Sequence, residues 1–429
     1  MNSTGALMRS APPGAPAPAP EEPWNAHLQS NSTFPRRGIY LLSALVFLLL
    51  ILAPTADRFL HFAPRTLVAE VDVTKLVRPT LDPDTWVKWF NTVRRGYLER
   101  HYNLRTLLIT WNSFMDTFIL ASTSSNSQVM PGKDHWLFLA HDGSRNILED
   151  ARSSDPLPQA SVATLAREME RRRQWLAARG IRYLVILTPN KNTVYPEKLP
   201  EYLQPQKPES HLDQFVNYVR QHTKVDIVDV TPAMVAAKKH EKVFYKLDSH
   251  WNANGAFAAY TEVMRHLTKD FPNIKPLTRE QFKVEQFDWL PGDLANMMGL
   301  SDHLKEDRIM FVNKDWYKAR GESYLGPIKH DYFETPQYSY TGNPALPNVI
   351  VFHDSFWWEL LPFMAESFDR GLYVWLRPQT DSAYRFFDTE LIEREKPNLV
   401  IDEYTERYIL PPLGRTLHIK NDVAAAAPK

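Results

Sequence analysis

The sequence predicts an α/β protein: a three-layer sandwich around a parallel sheet, preceded by one N-terminal transmembrane helix. Short, continuous apolar runs alternate with segments that carry apolar residues at helical spacing. This is the pattern of a parallel sheet that is covered by helices on both faces. A longer run of Leu, Ile and Val without charges lies near the N-terminus. The 429 residues, 44% of them hydrophobic, are enough to bury one large core or two smaller ones.

The N-terminal region divides into a tail and an apolar segment. Residues 1–35 are rich in Pro, Ala, Ser and Asn, which predicts a disordered cytoplasmic tail. Arg36 and Arg37 precede the apolar run 38–53, which is slightly short for a span of about 20 residues unless its neighbours complete it. We predict a transmembrane signal anchor over residues 36–56, with a cleaved signal peptide as the alternative. The basic pair predicts that the chain after the anchor lies outside the cytoplasm.

Three further regions are predicted from the patterns that follow. Residues 57–131 form a juxtamembrane helical stalk, because 84–99 and 106–121 carry apolar residues at helical spacing. The main domain occupies residues 132–410. Residues 411–429 form a C-terminal tail.

The main domain contains four apolar runs that predict strands, at 183–187, 225–230, 348–352 and 398–401. Helices are predicted at 161–179, 212–221, 255–267 and 357–368. The segment 274–347 is predicted to be an irregular insertion. In sheets of this kind, functional sites form beyond the C-terminal ends of the strands.

Charge and cysteine content exclude several classes of function. Lys+Arg and Asp+Glu number 50 each, so the basic excess typical of a nucleic-acid partner is missing. The chain has no Cys, which excludes thiol catalysis, disulfides and thiolate metal ligands. The 14 His form no H-x-x-x-H or H-E-x-x-H array. We therefore predict no metal and no cofactor.

Two segments place reactive side chains where a strand meets a helix. Asp248 and His250 precede the helix predicted at 255–267, and Ser355 follows the strand predicted at 348–352. N–H groups at a helix start can hold a developing oxyanion beside such a serine. A serine nucleophile needs a base and the base needs an acid, roles that His250 and Asp248 can fill. From spacing alone, capping roles for Asp248 and Ser355 remain open.

Five segments occur in a characteristic order: DHWLFL at 134–139, PNKNTVYPEKLP at 189–200, YKLDSHWN at 245–252, GDLA at 292–295 and DSF at 354–356. Together they resemble the alginate O-acetyltransferase (AlgJ/AlgX-type) family. Its members are SGNH-hydrolase-like enzymes that acetylate exopolysaccharides in the bacterial periplasm. The resemblance covers roughly residues 132–407.

The resemblance implies a flavodoxin-like SGNH-hydrolase fold and a triad of Asp248, His250 and Ser355. It implies transfer of acetyl groups to an exopolysaccharide through an acetyl-enzyme. A multi-pass membrane O-acyltransferase would deliver the acetyl donor, and the chain would be a single-pass inner-membrane protein with its catalytic domain in the periplasm. A carbohydrate acetylesterase with the same triad and a non-catalytic polysaccharide-binding or assembly protein are the alternatives.

Further polar and aromatic residues are candidates for substrate binding. Asn190 and Lys191 follow a strand end and can orient substrate or donate to an oxyanion, although a loop that merely packs is equally open. His353 stands where many SGNH enzymes have Gly, so it can narrow the pocket or touch substrate. Tryptophans near the site can stack on sugar faces, yet many are core residues. The candidates are Asn190, Lys191, Tyr195, Trp251, His353 and Trp357.

Overall fold

The computed structural model describes the main domain and one N-terminal helix. The described residues are 36–60, 86, 115, 128–142, 145–152, 155–207, 209–287, 291–301, 303–312, 337–375 and 387–409. The predicted tails at 1–35 and 411–429 lie outside the described residues, and so does almost all of the predicted stalk.

Helix α1 spans Arg36–Leu60, where the sequence predicts the anchor. Its described apolar side chains between Tyr40 and Leu49 are largely exposed. No helix among the described residues combines the length and the hydrophobicity needed to cross a membrane.

The main domain alternates strands and helices along the described chain. The strands are β1 Val129–Pro131, β2 Leu137–Leu139, β3 His141–Asp142, β4 Arg145–Asn146, β5 Arg182–Thr188, β6 Asp226–Asp229, β7 Lys283–Phe287, β8 Arg308–Val312, β9 Gln337–Tyr340, β10 Val349–His353, β11 Arg370–Trp375 and β12 Leu399–Thr405. The helices are α2 Ile147–Arg152, α3 Gln159–Ala177, α4 Lys191–Val194, α5 His211–His222, α6 Thr231–Ala237, α7 Ala253–Asp270, α8 Asp293–Met297, α9 Trp357–Met364 and α10 Thr389–Glu395.

Six of the described strands form the central sheet in the order β6-β5-β12-β10-β11-β9. The first five are parallel to their neighbours, whereas β9 pairs antiparallel with β11. The sequence predicted a parallel sheet, and the antiparallel edge strand β9 corrects that prediction. An antiparallel edge strand on an otherwise parallel sheet is a common variant.

Helices cover both faces of the sheet, as predicted. Successive residues of β10 point to opposite faces: Val349 and Val351 pack with α6, α7 and α9, while Ile350 and Phe352 pack with α3, α5 and α10. Residues 349–352 of β10 are all apolar, because neither face of this strand is exposed to water.

The segment 274–347, predicted to be irregular, contains ordered elements. Strands β7 and β8 pair in antiparallel orientation. Helix α8 packs through Leu294 and Ala295 against Leu137 of β2 and against Leu247. The insertion thereby brings α8 beside the loop that connects residue 244 to α7.

The loop before α7 is held tightly at both ends. Phe244 and Trp251 form an isolated antiparallel bridge. Asn252 caps α7, since its side-chain oxygen accepts hydrogen bonds from the N–H groups of Asn254 (3.0 Å) and Gly255 (3.1 Å). A Cβ on Gly255 would lie 2.2 Å from the Val243 carbonyl oxygen, so this close approach requires glycine.

Candidate active site

The two segments predicted to carry chemistry meet at the carboxyl edge of the sheet. Nε2 of His250 lies 2.8 Å from Oγ of Ser355. Nδ1 of the same ring lies 2.7 Å from Oδ1 of Asp248. With the proton on Nδ1, the imidazole donates to the carboxylate and can accept the serine proton at Nε2. This is the geometry of a nucleophile, a base and an orienting acid.

Ser355 sits in the corner between β10 and α9, and Asp354 shapes that corner. The carboxylate of Asp354 accepts hydrogen bonds from the N–H groups of Phe356 (2.9 Å) and Thr405 (2.7 Å). Its own N–H donates to Oε2 of Glu403 at 3.0 Å. Within the described residues, the Ser355 N–H donates to no acceptor. It is therefore available to an oxyanion that forms at the serine.

His250 is held against the serine corner by its aromatic neighbours. The Trp251 indole N–H donates to the carbonyl oxygen of Phe356 at 3.0 Å. The Phe356 ring lies 5.0 Å from the His250 ring, centroid to centroid. The residue after His250 is thus bonded to the residue after Ser355, which helps to fix the distance between the two segments.

The surroundings of the imidazole shift the pKa values of His250 and Asp248 in opposite directions. Burial alone would lower the pKa of His250, but the hydrogen bond and charge of Asp248 and the charge of Asp293 raise it above 6.5. Burial alone would raise the pKa of Asp248, yet its bonds to His250 and to the Asp293 N–H hold it well below its usual range. Asp248 is therefore ionised at any pH at which His250 can act as a base.

A second carboxylate lies beside the same imidazole. Oδ2 of Asp293 is 3.6 Å from Nδ1 of His250, and the donor atoms of Asp248, His250 and Asp293 lie within 4.8 Å of one another. That spacing would suit a metal ion. However, Nδ1 already bonds Asp248, and both Asp293 oxygens accept from Ser249. We assign these groups to a hydrogen-bond network and not to a metal site.

Lys191, predicted as a substrate contact, instead supports the loop that carries the triad residues. Its side chain is buried, and its ammonium donates to the carbonyl oxygens of Tyr245 (3.1 Å), Lys246 (3.1 Å) and Asp248 (2.7 Å). Burial lowers the pKa of Lys191 to about 8, against the opposing charges of nearby carboxylates. No donor of this ammonium is directed toward solvent, which corrects the assignment to substrate.

The predicted aromatic contacts are core residues in this structure. Trp251 and Trp357 are fully buried, so neither indole face is open to a sugar. Tyr195 is also buried; its hydroxyl accepts from the Val243 N–H at 3.0 Å, and its ring packs 4.3 Å from Trp136.

His353 and Asn190 occupy different surroundings. His353 is buried, its Nδ1 lies 2.7 Å from the Asp354 carbonyl oxygen, and burial lowers its pKa to about 4. It is therefore neutral and turned into the fold. Asn190 lines a small cavity at the same sheet edge, together with Glu406 and Arg407. Its N–H donates to Oε2 of Glu406 at 2.9 Å.

Three residues near the site were not predicted as site residues. Ser249 and Asp293 contact the imidazole, although both lie inside the DSHW and GDLA segments that carry the family resemblance. Arg407 lies over the Phe356 ring, with its guanidinium carbon 5.1 Å from the ring centroid. Its position follows from β12 lying between β5 and β10, a strand order that the sequence does not display.

Comparisons with known proteins agree with the motifs. Residues 129–323 match the family model described as SGNH hydrolase-like domain, acetyltransferase AlgX. The chain is 23% identical over 305 residues to the probable alginate O-acetylase AlgJ of Pseudomonas syringae pv. tomato, an alignment that covers 66% of this chain and 69% of that protein.

Solved structures with a similar backbone include two bacterial proteins. Bacillus cereus PatB1 with a sulfonyl adduct has a TM-score of 0.49 and 15% identity, over 67% of this chain and 97% of that one. The O-acetyltransferase domain of Pseudomonas putida AlgJ has a TM-score of 0.43 and 19% identity, over 70% of this chain and 95% of that one. The predicted resemblance to the AlgJ/AlgX-type acetyltransferase family is confirmed by the match of residues 129–323 to this family model and by the similarity to AlgJ.

Proposed function

We propose that this protein is a periplasmic O-acetyltransferase that moves acetyl groups onto hydroxyls of an exopolysaccharide. The observation that carries the proposal is the pair of hydrogen bonds made by His250, to Ser355 on one ring nitrogen and to Asp248 on the other. The family match supports acetyl as the transferred group.

The first half-reaction makes an acetyl-enzyme. Ser355 Oγ attacks the acetyl carbonyl carbon of the donor, and its proton passes to Nε2 of His250. Asp248 stabilises the imidazolium that forms, and the Ser355 N–H stabilises the oxyanion. The donor's C–O bond then breaks, and its leaving oxygen takes the proton from Nε2.

The second half-reaction transfers the acetyl group to the acceptor. A sugar hydroxyl attacks the acetyl carbon while Nε2 of His250 removes its proton. The bond to Ser355 Oγ breaks, and that oxygen recovers the proton from the imidazolium. Water in place of the sugar would make the protein a carbohydrate acetylesterase, so acceptor positioning and exclusion of water decide the outcome.

The membrane location is part of the proposal. The charge-free run 38–53 behind Arg36 and Arg37 supports a signal anchor over residues 36–56. Anchoring would hold the domain beside a multi-pass membrane O-acyltransferase that delivers the acetyl donor. We expect the full chain to stay in the membrane fraction after an alkaline wash and a chain lacking residues 1–60 to be released. A full chain that washes off would exclude the anchor.

The catalytic proposal is tested with the full chain in detergent and a chromogenic acetyl ester, with and without oligosaccharide acceptors. Ser355→Ala should reduce turnover by roughly four to six powers of ten. Ser161→Ala, at an exposed position on α3, is the matched control and should leave it unchanged. Mass spectrometry of the intact wild type should find one acetyl group, absent from Ser355→Ala.

The outcomes separate the candidate functions. Acetylated oligosaccharide indicates a transferase, and acetate alone indicates the esterase. Sugar binding without turnover, unchanged by Ser355→Ala, indicates a polysaccharide-binding or assembly protein. A loss of less than tenfold in Ser355→Ala excludes the triad.

A further inference from the structure

Asp293, at the start of α8, contacts the loop of the triad base through three separate groups. Its Oδ1 accepts from the Ser249 N–H at 2.6 Å, and its Oδ2 accepts from the Ser249 hydroxyl at 2.5 Å. Its own N–H donates to Oδ2 of Asp248 at 3.0 Å. Asp293 therefore orients the two residues that directly precede His250 in the loop.

The same carboxylate faces the imidazole directly. Oδ2 of Asp293 lies 3.6 Å from Nδ1 of His250, and the Ser249 hydroxyl, which bonds Asp293, lies 3.4 Å from that nitrogen. Asp248 is thus the hydrogen-bond partner of Nδ1. The carboxylate of Asp293 adds a second negative charge, and the Ser249 hydroxyl lies between it and Nδ1. The side chain of Asp293 is only partly exposed, so solvent screens this charge incompletely.

Two further charged groups near the imidazole are opposite in sign. Arg407, in the turn after β12, opposes protonation of His250. Glu359, on α9, interacts favourably with a protonated His250 and is paired with Arg308 at 2.9 Å. Asp248 and Asp293 are therefore the two carboxylates that approach Nδ1.

Resting on the proposed function, we propose that Asp293 is a positioning residue and the second charge partner of His250. It holds Asp248 and Ser249 in place and adds its negative charge to that of Asp248 when the imidazole takes the proton of Ser355. The imidazolium is then stabilised by two carboxylates, one bonded directly and one through the Ser249 hydroxyl. This makes His250 a stronger base than Asp248 alone would make it.

Asp293→Asn tests the charge while it keeps an oxygen acceptor and a backbone N–H in place. We expect kcat for the acetyl ester to fall about tenfold or more with KM nearly unchanged. The acid limb of the kcat/KM profile should move to lower pH by about one unit, because loss of a nearby negative charge lowers the pKa of His250. A purely structural role would reduce activity without moving this limb. Asp270→Asn, at an exposed carboxylate that pairs with Arg182, is the control.

A second readout does not depend on turnover. NMR titration of the His250 ring, assigned by comparison with His250→Gln, should show a lower pKa in Asp293→Asn and a smaller decrease in Ser249→Ala. If Asp293→Asn does not fold, the Ser249→Ala titration still decides, and a ring pKa unchanged from wild type in that variant would overturn the proposal. A chelator should leave the activity unchanged, and inhibition restored by a divalent cation would overturn it as well.

The two proposals fail in distinguishable ways. Full activity in Ser355→Ala would refute the proposed function, whatever Asp293 does. An inactive Ser355→Ala, combined with an Asp293→Asn variant whose kcat, acid limb and His250 titration match wild type, would refute the role of Asp293 alone.

Discussion

The side-chain ammonium of Lys191 donates a 2.7 Å hydrogen bond to the backbone carbonyl oxygen of Asp248. The ammonium thus holds Asp248, the acid of the candidate triad, through its main-chain carbonyl and not through its side-chain carboxylate. The same ammonium binds two further carbonyl oxygens of this loop, so a single buried side chain satisfies three main-chain acceptors.

Replacing this amine should destabilise the fold. Lys191→Met removes the ammonium donor from three carbonyl oxygens, of which, among the described residues, only that of Lys246 keeps another donor, the Leu137 N–H, and we expect the free energy of unfolding to fall by about 2–4 kcal/mol. Urea denaturation followed by circular dichroism measures the change. Lys198→Met is the control: that lysine pairs with the more exposed Asp134, and its loss should leave the free energy of unfolding nearly unchanged. Equal stability of the two variants would contradict the anchoring role.

The pH dependence of turnover should follow the raised pKa of His250. The general base must be neutral, so kcat/KM should rise as pH increases through this pKa, with a midpoint above 6.5. A profile measured with an uncharged acetyl ester tests this. In Asp248→Asn the midpoint should shift to lower pH, because the bonded carboxylate no longer favours the protonated ring. A midpoint below 6 in the wild type would contradict the prediction.

The contact between α8 and the loop leaves no room for a side chain at Gly292. A Cβ there would lie 2.2 Å from the carbonyl oxygen of Leu247 and 2.7 Å from the backbone nitrogen of Asp248. Gly292→Ala should therefore separate α8 from the loop and reduce kcat at least tenfold. Met297→Ala, at a half-exposed position of the same helix, serves as the control in the same ester assay. Wild-type turnover in Gly292→Ala would show that the loop can relax without consequence.

A buried ion pair between α3 and β12 should make a large contribution to the stability of the helical layer that contains α3. Arg172 of α3 is fully buried and bonds Oδ2 of Asp402 at 2.5 Å. Asp402→Asn removes the carboxylate charge that bonds a buried guanidinium, so we expect the free energy of unfolding to fall by about 3–5 kcal/mol. Thermal and urea denaturation measure it. Glu393→Gln breaks the exposed pair with Arg179, and the same measurements should detect at most about 1 kcal/mol.

The central strands could be predicted because both of their faces are buried. Strands β5 and β10 are continuous apolar runs, and each was located to within a residue of its observed bounds. Strand β9 was missed, because Gln337–Tyr340 is polar and lies at the antiparallel edge of the sheet. Strand β11, Arg370–Trp375, was missed because it follows directly after the turn that ends α9.

The candidate site was only partly predictable. Ser355 and His250 each stand beside a helix start, and that local signal is visible in the sequence. The contacts of Lys191 and Asp293 are not visible, because they depend on main-chain carbonyls and on an insertion whose packing has no periodic pattern. The buried state of Trp357 is likewise a property of the helix orientation, which places the neighbouring Trp358 in the partly exposed position.

The indole bond from Trp251 to the carbonyl oxygen of Phe356 has a consequence for protein engineering. Consider a chimera that takes the corner around Ser355 from a homologue but keeps its own histidine segment. The indole bond forms in this chimera only if the homologue's turn has its peptide group in the same orientation. Grafts should therefore exchange both segments together, with the tryptophan included, since this bond and the contact between His250 and Ser355 both join the two segments.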